Sequence, residues 1–114
     1  MDALSSLLSD KVIFHSPVVY TPQIGKEVTG KYLAAAFNVL VNDTFNYIRE
    51  IAWEREAMLE FEVELDGIAI NGVDIISWDE NNQIVDFKVM IRPLKAINII
   101  HEKMMEELQR SKKK

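Results

Sequence analysis

One acid in an apolar run is the strongest chemical signal in this sequence. Asp74 stands in Gly72-Val73-Asp74-Ile75-Ile76. A carboxylate held away from water is costly to ionise, so it finds partners or keeps its proton at a raised pKa. In the second case it can serve as an acid or hydrogen-bond donor; in the first it is a sheet-edge carboxylate bonded to backbone or water. His15, between Phe14 and Ser16, is the second candidate, because an imidazole titrates near neutrality and can act as a base. If Phe14 points inward along a strand, however, His15 points outward and is structural. His101 lies on the apolar stripe of the last helix, a place for a hydrogen-bonded core or interface histidine. Two histidines so far apart make no metal motif, and the chain has no cysteine to add a thiolate. Glu60, Glu62 and Glu64 alternate on one strand face about 7 Å apart, which reads as a solvated face. No glycine-rich phosphate loop, nucleophile elbow or dinucleotide fingerprint is present. No metal and no cofactor are expected.

The elements that must position these residues follow from hydrophobic period. Leu4, Leu7 and Leu8 fall at helical spacing and predict a helical turn over Asp2–Ser9. Val12-Ile13-Phe14 reads as a short strand stopped at Ser16-Pro17. A loop from Val18 to Gly30 follows, with Thr29 or Gly30 capping a helix whose apolar face is Tyr32, Leu33, Ala36, Phe37, Leu40 and Val41. From Phe45 the period changes to two. Ala57, Leu59, Phe61, Val63 and Leu65 alternate with Met58 and three glutamates, a half-buried strand. Ile68–Trp78 returns, and Ile84–Arg92 forms a further strand. Pro93 opens a last helix lined by Leu94, Ile97, His101, Met104 and Leu108. The order predicts an α+β fold: a strongly curved, largely antiparallel sheet covered by about three helices.

Hairpin arithmetic then assigns faces. Asp66-Gly67 is a strong two-residue turn signal. With it, Leu65 lies opposite Ile68, Phe61 opposite Gly72, and Leu59 opposite Asp74, so Asp74 shares the apolar face. At the next hairpin a three-residue loop over Glu80-Asn81-Asn82 would set Asp74 against Lys88. A two-residue turn at Asn81-Asn82 would set it against Val89. The second choice brings Val85, Phe87, Val89 and Ile91 to the apolar face and is preferred, unless a bulge breaks the parity. With Glu54-Arg55 as a third turn, Tyr47, Ile51 and Trp53 share the outer face with Met58, Val73 and Ile75, and Arg49 meets Glu60 there.

Composition bounds the function. The chain has 114 residues, 48% hydrophobic and 27% charged, with net charge −5. That is an ordinary globular balance and one domain, residues 1–114, with a basic tail at 111–114. The acidic body argues against nucleic acid. No apolar run approaches a membrane span, and the N-terminus lacks the pattern of a signal peptide. A cytoplasmic protein with no membrane partner is expected.

Taken in order, Phe14-His15-Ser16-Pro17-Val18, Gly30 at a helix start, Asp66-Gly67, Gly72 to Glu80 and Ile84 to Pro93 resemble the nuclear transport factor 2-like superfamily. The likeness is to its SnoaL-like members, the polyketide cyclase and ketosteroid isomerase group. The resemblance implies a conical pocket closed by the helices, and commonly a homodimer. It also likens the segment around Asp74 to the one carrying the isomerase's oxyanion-hole acid, which is kept protonated. Ser16 stands where that enzyme has its base, and Leu8 where it has its tyrosine. Three readings follow. The first is a binding cone for a small hydrophobic or amphipathic molecule, anchored by Asp74. Its walls would be Phe14, Ser16 and Phe37, then Leu59, Phe61 and Ile76, then Phe87, Val89 and Ile91, with Tyr20 covering it. The second is an isomerase, cyclase or dehydratase using Asp74 with His15. The third is a dimeric interaction module with a vestigial pocket, its outer sheet face carrying the apolar interface.

Overall fold

Asp66 and Gly67 take positive φ, 51° and 80°, and close a two-residue hairpin at the centre of the sheet. The structure, a computed structural model, describes residues 6–112. Among the described residues, after the helical Ser6 and Leu7, eight elements follow one another: β1 (Leu8–His15), β2 (Gln23–Ile24), α1 (Lys26–Leu40), β3 (Asn46–Trp53), β4 (Glu56–Leu65), β5 (Ile68–Trp78), β6 (Ile84–Arg92) and α2 (Leu94–Lys112). The strands form one curved, open six-stranded sheet in the order β2-β1-β6-β5-β4-β3. β3 to β6 are an antiparallel meander, and β1 joins β6 in parallel. Among the described residues two long helices cover one face, and Ser6 and Leu7 ahead of β1 are helical as well, as the leucine spacing predicts. Leu8 and Ser9 already belong to β1; residues 2–5 of the expected turn lie outside the described residues. No helix among the described residues is long and apolar enough to cross a membrane.

The β4–β5 register is the expected one from end to end, with Leu59 opposite Asp74 and Phe61 opposite Gly72. The next hairpin corrects the preferred turn but keeps its consequence. The loop is the three-residue one over Glu80-Asn81-Asn82, because the Asp79 carboxylate accepts the N–H groups of Asn81 and Gln83 at 2.9 and 3.0 Å. Asn82 takes φ 61°, a conformation asparagine tolerates. Val85 is then left out of the ladder. That bulge restores the parity, so Asp74 faces Val89 and Ile76 faces Phe87. A second bulge, at Ile48, was not foreseen. Ile51 pairs with Met58 and Arg49 with Glu60 on the outer face as expected, but beyond Ile48 Tyr47 pairs with Phe61. Tyr47 therefore belongs to the inner face, not the outer one.

One further boundary differs and one holds. α1 begins at Lys26 rather than after Thr29 or Gly30, with Gly25 at its N-cap in a φ of 114° that a side chain would resist. Thr29 sits in the first turn, fully buried, its N–H bonded to the Gly25 carbonyl at 3.1 Å. α2 begins just after Pro93, whose carbonyl accepts the N–H groups of Ala96 and Ile97.

The core lies between α2 and the Phe61 end of the sheet: Leu40, Phe61, Val63, Ile70, Ala96 and Ile100. The Phe61 ring lies over Gly72, where a Cβ would meet it, with Cε2 2.8 Å away. Phe61 is 2% exposed, so its ring has little room to yield. Gly72→Ala should accordingly cost about 1–3 kcal/mol of stability as overpacking. Urea melts measure it. A loss within about 0.5 kcal/mol, the ordinary surface range, would mean that the ring is free to move.

Candidate functional site

Curvature opens a cavity of about 330 Å³ between α1 and the inner face. Leu33, Ala36, Phe37, Leu40 and Val41 form one wall; Phe45, Phe61, Phe87 and Val89 form the other. Among the described residues that line it, Asp74 and Tyr47 alone bring polar side-chain groups. A deeper hollow of about 90 Å³, lined by Phe14, Ser16, Tyr32, Ile91, Ile100 and Met104 among others, shares Ala36, Leu40 and Val89 with the first. The two therefore adjoin at these side chains.

Asp74 reaches the cavity because β5 alternates and both of its hairpins hold register. Leu59 and Val89 flank it across the strands. Among the described residues no hydrogen bond or ion pair reaches its carboxyl group. Loss of water raises its pKa from 3.8 to about 6. Tyr47 is placed by the Ile48 bulge and oriented by an edge contact on Phe45, whose ring in turn stacks on Phe61 at 5.2 Å. Burial first, then the charges of Asp74 and Glu50, push the Tyr47 phenol above its ordinary 10.0.

The expected lining divides. Phe37, Phe61, Phe87 and Val89 join Asp74 at the larger cavity, while Phe14, Ser16 and Ile91 line the deeper one. Leu59 and Ile76 stand on the same sheet face but line neither of these two cavities. Tyr20 is 98% exposed and covers nothing. His15 does not join Asp74. Phe14 pairs with Phe87 and faces inward, so His15 points to the outer side, where Nε2 lies 3.1 Å from the Asp86 carboxylate. His101 borders the deeper hollow but is itself exposed. Ser16 is engaged locally: its Oγ accepts the N–H groups of Val18 and Val19 at 3.0 and 3.4 Å. Tyr47 is the site residue that sequence reasoning put on the wrong face. The signal available was Phe45, an aromatic two positions earlier and free to pack on Phe61.

A larger hollow of about 420 Å³ lies on the outer face, bordered by Ile51, Met58, Val73 and Met90. Its polar groups satisfy one another. Arg49 pairs with Glu60 at 3.4 Å, Asn71 donates to Glu60 at 3.0 Å, and Arg92 donates to Asn71 at 2.9 Å. The inner cavity holds the unpartnered carboxyl, which makes it the better candidate. Among the described residues no three histidine or acidic side chains converge to hold a metal ion.

No family model matches the chain, and no curated protein matches it. Solved structures do. A steroid delta-isomerase from Pseudomonas aeruginosa is 30% identical, superposes with a TM-score of 0.92, and is matched over 98% of this chain and 82% of that one. A protein with a cystatin-like fold from Silicibacter pomeroyi is 27% identical, with a TM-score of 0.85 over 92% of this chain and 73% of that one. A nuclear transport factor 2-like protein of unknown function from Mesorhizobium loti shares the fold at 14% identity, with a TM-score of 0.69 over 80% and 76%.

Proposed function

The chain belongs to the nuclear transport factor 2-like superfamily, among its SnoaL-like and ketosteroid isomerase-like members, and on that premise we propose that it binds a small apolar or amphipathic molecule in the inner cavity, with Asp74 as the polar anchor. One observation carries the reading: an unpartnered carboxyl in the wall of an apolar cavity of about 330 Å³. Burying a polar group without a partner costs stability, and a ligand oxygen would supply the missing bond. The apolar walls would supply most of the affinity and the carboxyl the orientation.

The likeness to the Pseudomonas isomerase favours a second reading, an enzyme acting in the same cavity. Two features weigh against steroid-type isomerisation. The position likened to the base is Ser16, whose oxygen is occupied by the backbone. The position likened to the tyrosine is Leu8, fully buried in β1.

Titration with β-naphthol, followed by backbone amide NMR, tests the binding reading. Shifts should cluster at Phe37, Val41, Tyr47, Phe61 and Phe87. Asp74→Leu, which keeps the cavity apolar, should weaken binding about tenfold. Shifts confined to the outer face around Met58 and Met90, or an Asp74→Leu affinity equal to the wild type, would refute it.

A further inference from the structure

Tyr47 enters the cavity only because β3 carries an unpaired residue at Ile48. The bulge places a phenol on the same sheet face as Asp74, two strands over and one row of cross-strand partners away. Tyr47 belongs to the row with Phe61 and Gly72, and Asp74 to the row with Leu59 and Val89. The Phe61 ring lies over Gly72. No hydrogen bond joins phenol and carboxyl, yet each borders the same cavity and the charge of one is felt by the other.

We propose that Tyr47 and Asp74 hold one ligand oxygen between them, and that the pair selects a hydroxyl over a ketone carbonyl at neutral pH. This rests on the binding reading above and narrows its ligand class. The chemistry follows from donor and acceptor counts. A phenol O–H donates, and an ionised carboxylate only accepts. A ligand hydroxyl is the complement of that pair: its lone pair takes the Tyr47 proton and its own proton goes to Asp74. A ketone oxygen can accept from Tyr47, but it has no proton to give, and its lone pairs meet the carboxylate charge.

Below a pH of about 6, Asp74 holds its proton. The pair then presents two donors while the acid's C=O still accepts, so a carbonyl oxygen is held as well as a hydroxyl and the preference lapses. Tyr47 remains a donor throughout, since its ionisation is pushed above 10.0. Few other groups can interfere. Glu50, opposite Leu59 on the same face of β3, is exposed and lies outside the lining. The other surfaces facing Asp74 are Leu59 and Phe61 on β4, Phe87 and Val89 on β6, and Leu33, Ala36 and Phe37 on α1. None of these titrates.

Indanol and indanone form a matched pair of probes that differ in the one oxygen function. Their dissociation constants should be measured by NMR on wild type, Tyr47→Phe and Asp74→Asn, well above and well below pH 6. In the wild type the alcohol should bind about tenfold tighter than the ketone above pH 6, and the preference should disappear below it. Asp74→Asn should abolish this pH dependence. Tyr47→Phe removes only the hydroxyl and keeps the ring on Phe45; it should weaken the alcohol about fivefold to tenfold at either pH. Binding of both probes in the cavity with no change in preference across pH 6, or with Tyr47→Phe equal to the wild type, would overturn the pair and leave the binding reading standing. Failure of both probes to bind would overturn both.

Discussion

Phe61→Ala should destabilise the protein by about 3–5 kcal/mol, while Glu62→Ala, one residue on, should cost under about 1 kcal/mol. The ring is 2% exposed, stacks on Phe45 at 5.2 Å, and belongs to the cluster with Leu40, Val63, Ile70, Ala96 and Ile100. Removing it forfeits the transfer energy of the ring and leaves a void beside the inner cavity, where neighbours fixed by the sheet close up poorly. Glu62 is exposed on the opposite face. Denaturant melts of the two variants check the assignment of faces. Equal losses would mean that β4 is buried on both sides.

The second large effect is a pH dependence carried by Asp74. In the fold its pKa is about 6, raised by desolvation from 3.8. A proton held more tightly by the folded chain stabilises it below the lower value. That contribution is lost as pH rises through 3.8 and then through about 6. Its size is on the order of 2–3 kcal/mol. Asp74→Asn puts a neutral amide of similar shape in its place and lacks this titration. Wild-type stability relative to Asp74→Asn should therefore fall by that amount between acid and neutral pH, so that near neutrality the variant is equal or more stable. Urea melts of both proteins across that range measure the difference. A difference that is flat, or that grows in favour of the wild type as pH rises, would point to a paired and ionised carboxylate.

How far the sequence carried these conclusions differs from element to element. The central hairpin was fully legible: Asp66-Gly67 dictates its own turn, and once the turn is known every partner through Leu59 and Asp74 follows. The parity of β6 was legible through its apolar match, although the turn was not. Asn81-Asn82 and Glu80-Asn81-Asn82 are both acceptable loops, and a side-chain bond from Asp79 decides between them. The bulge at Ile48 carried no mark of its own, since a bulged residue in an extended strand need not be glycine or proline. Its cause is tertiary: the Glu54-Arg55 turn fixes one end of β3, and Phe45 packed on Phe61 fixes the other. The chain between them has one residue too many for a regular ladder. That single residue decides the face of Tyr47, and with it the chemistry of the cavity. At the N-terminus the helical spacing holds for Ser6 and Leu7 but stops at Leu8, which pairs with Ile84 because β6 offers an edge.

The chemical claim reduces to the state of one carboxyl group in an apolar wall. An NMR titration of the Asp74 side-chain carboxyl carbon, with Asp74→Asn as the assignment control, tests it most directly. A midpoint near 6 is expected in the free protein. A midpoint at or below 3.8 would show a carboxylate already ionised and held by partners, and the anchor assigned to Asp74 would be a structural charge instead.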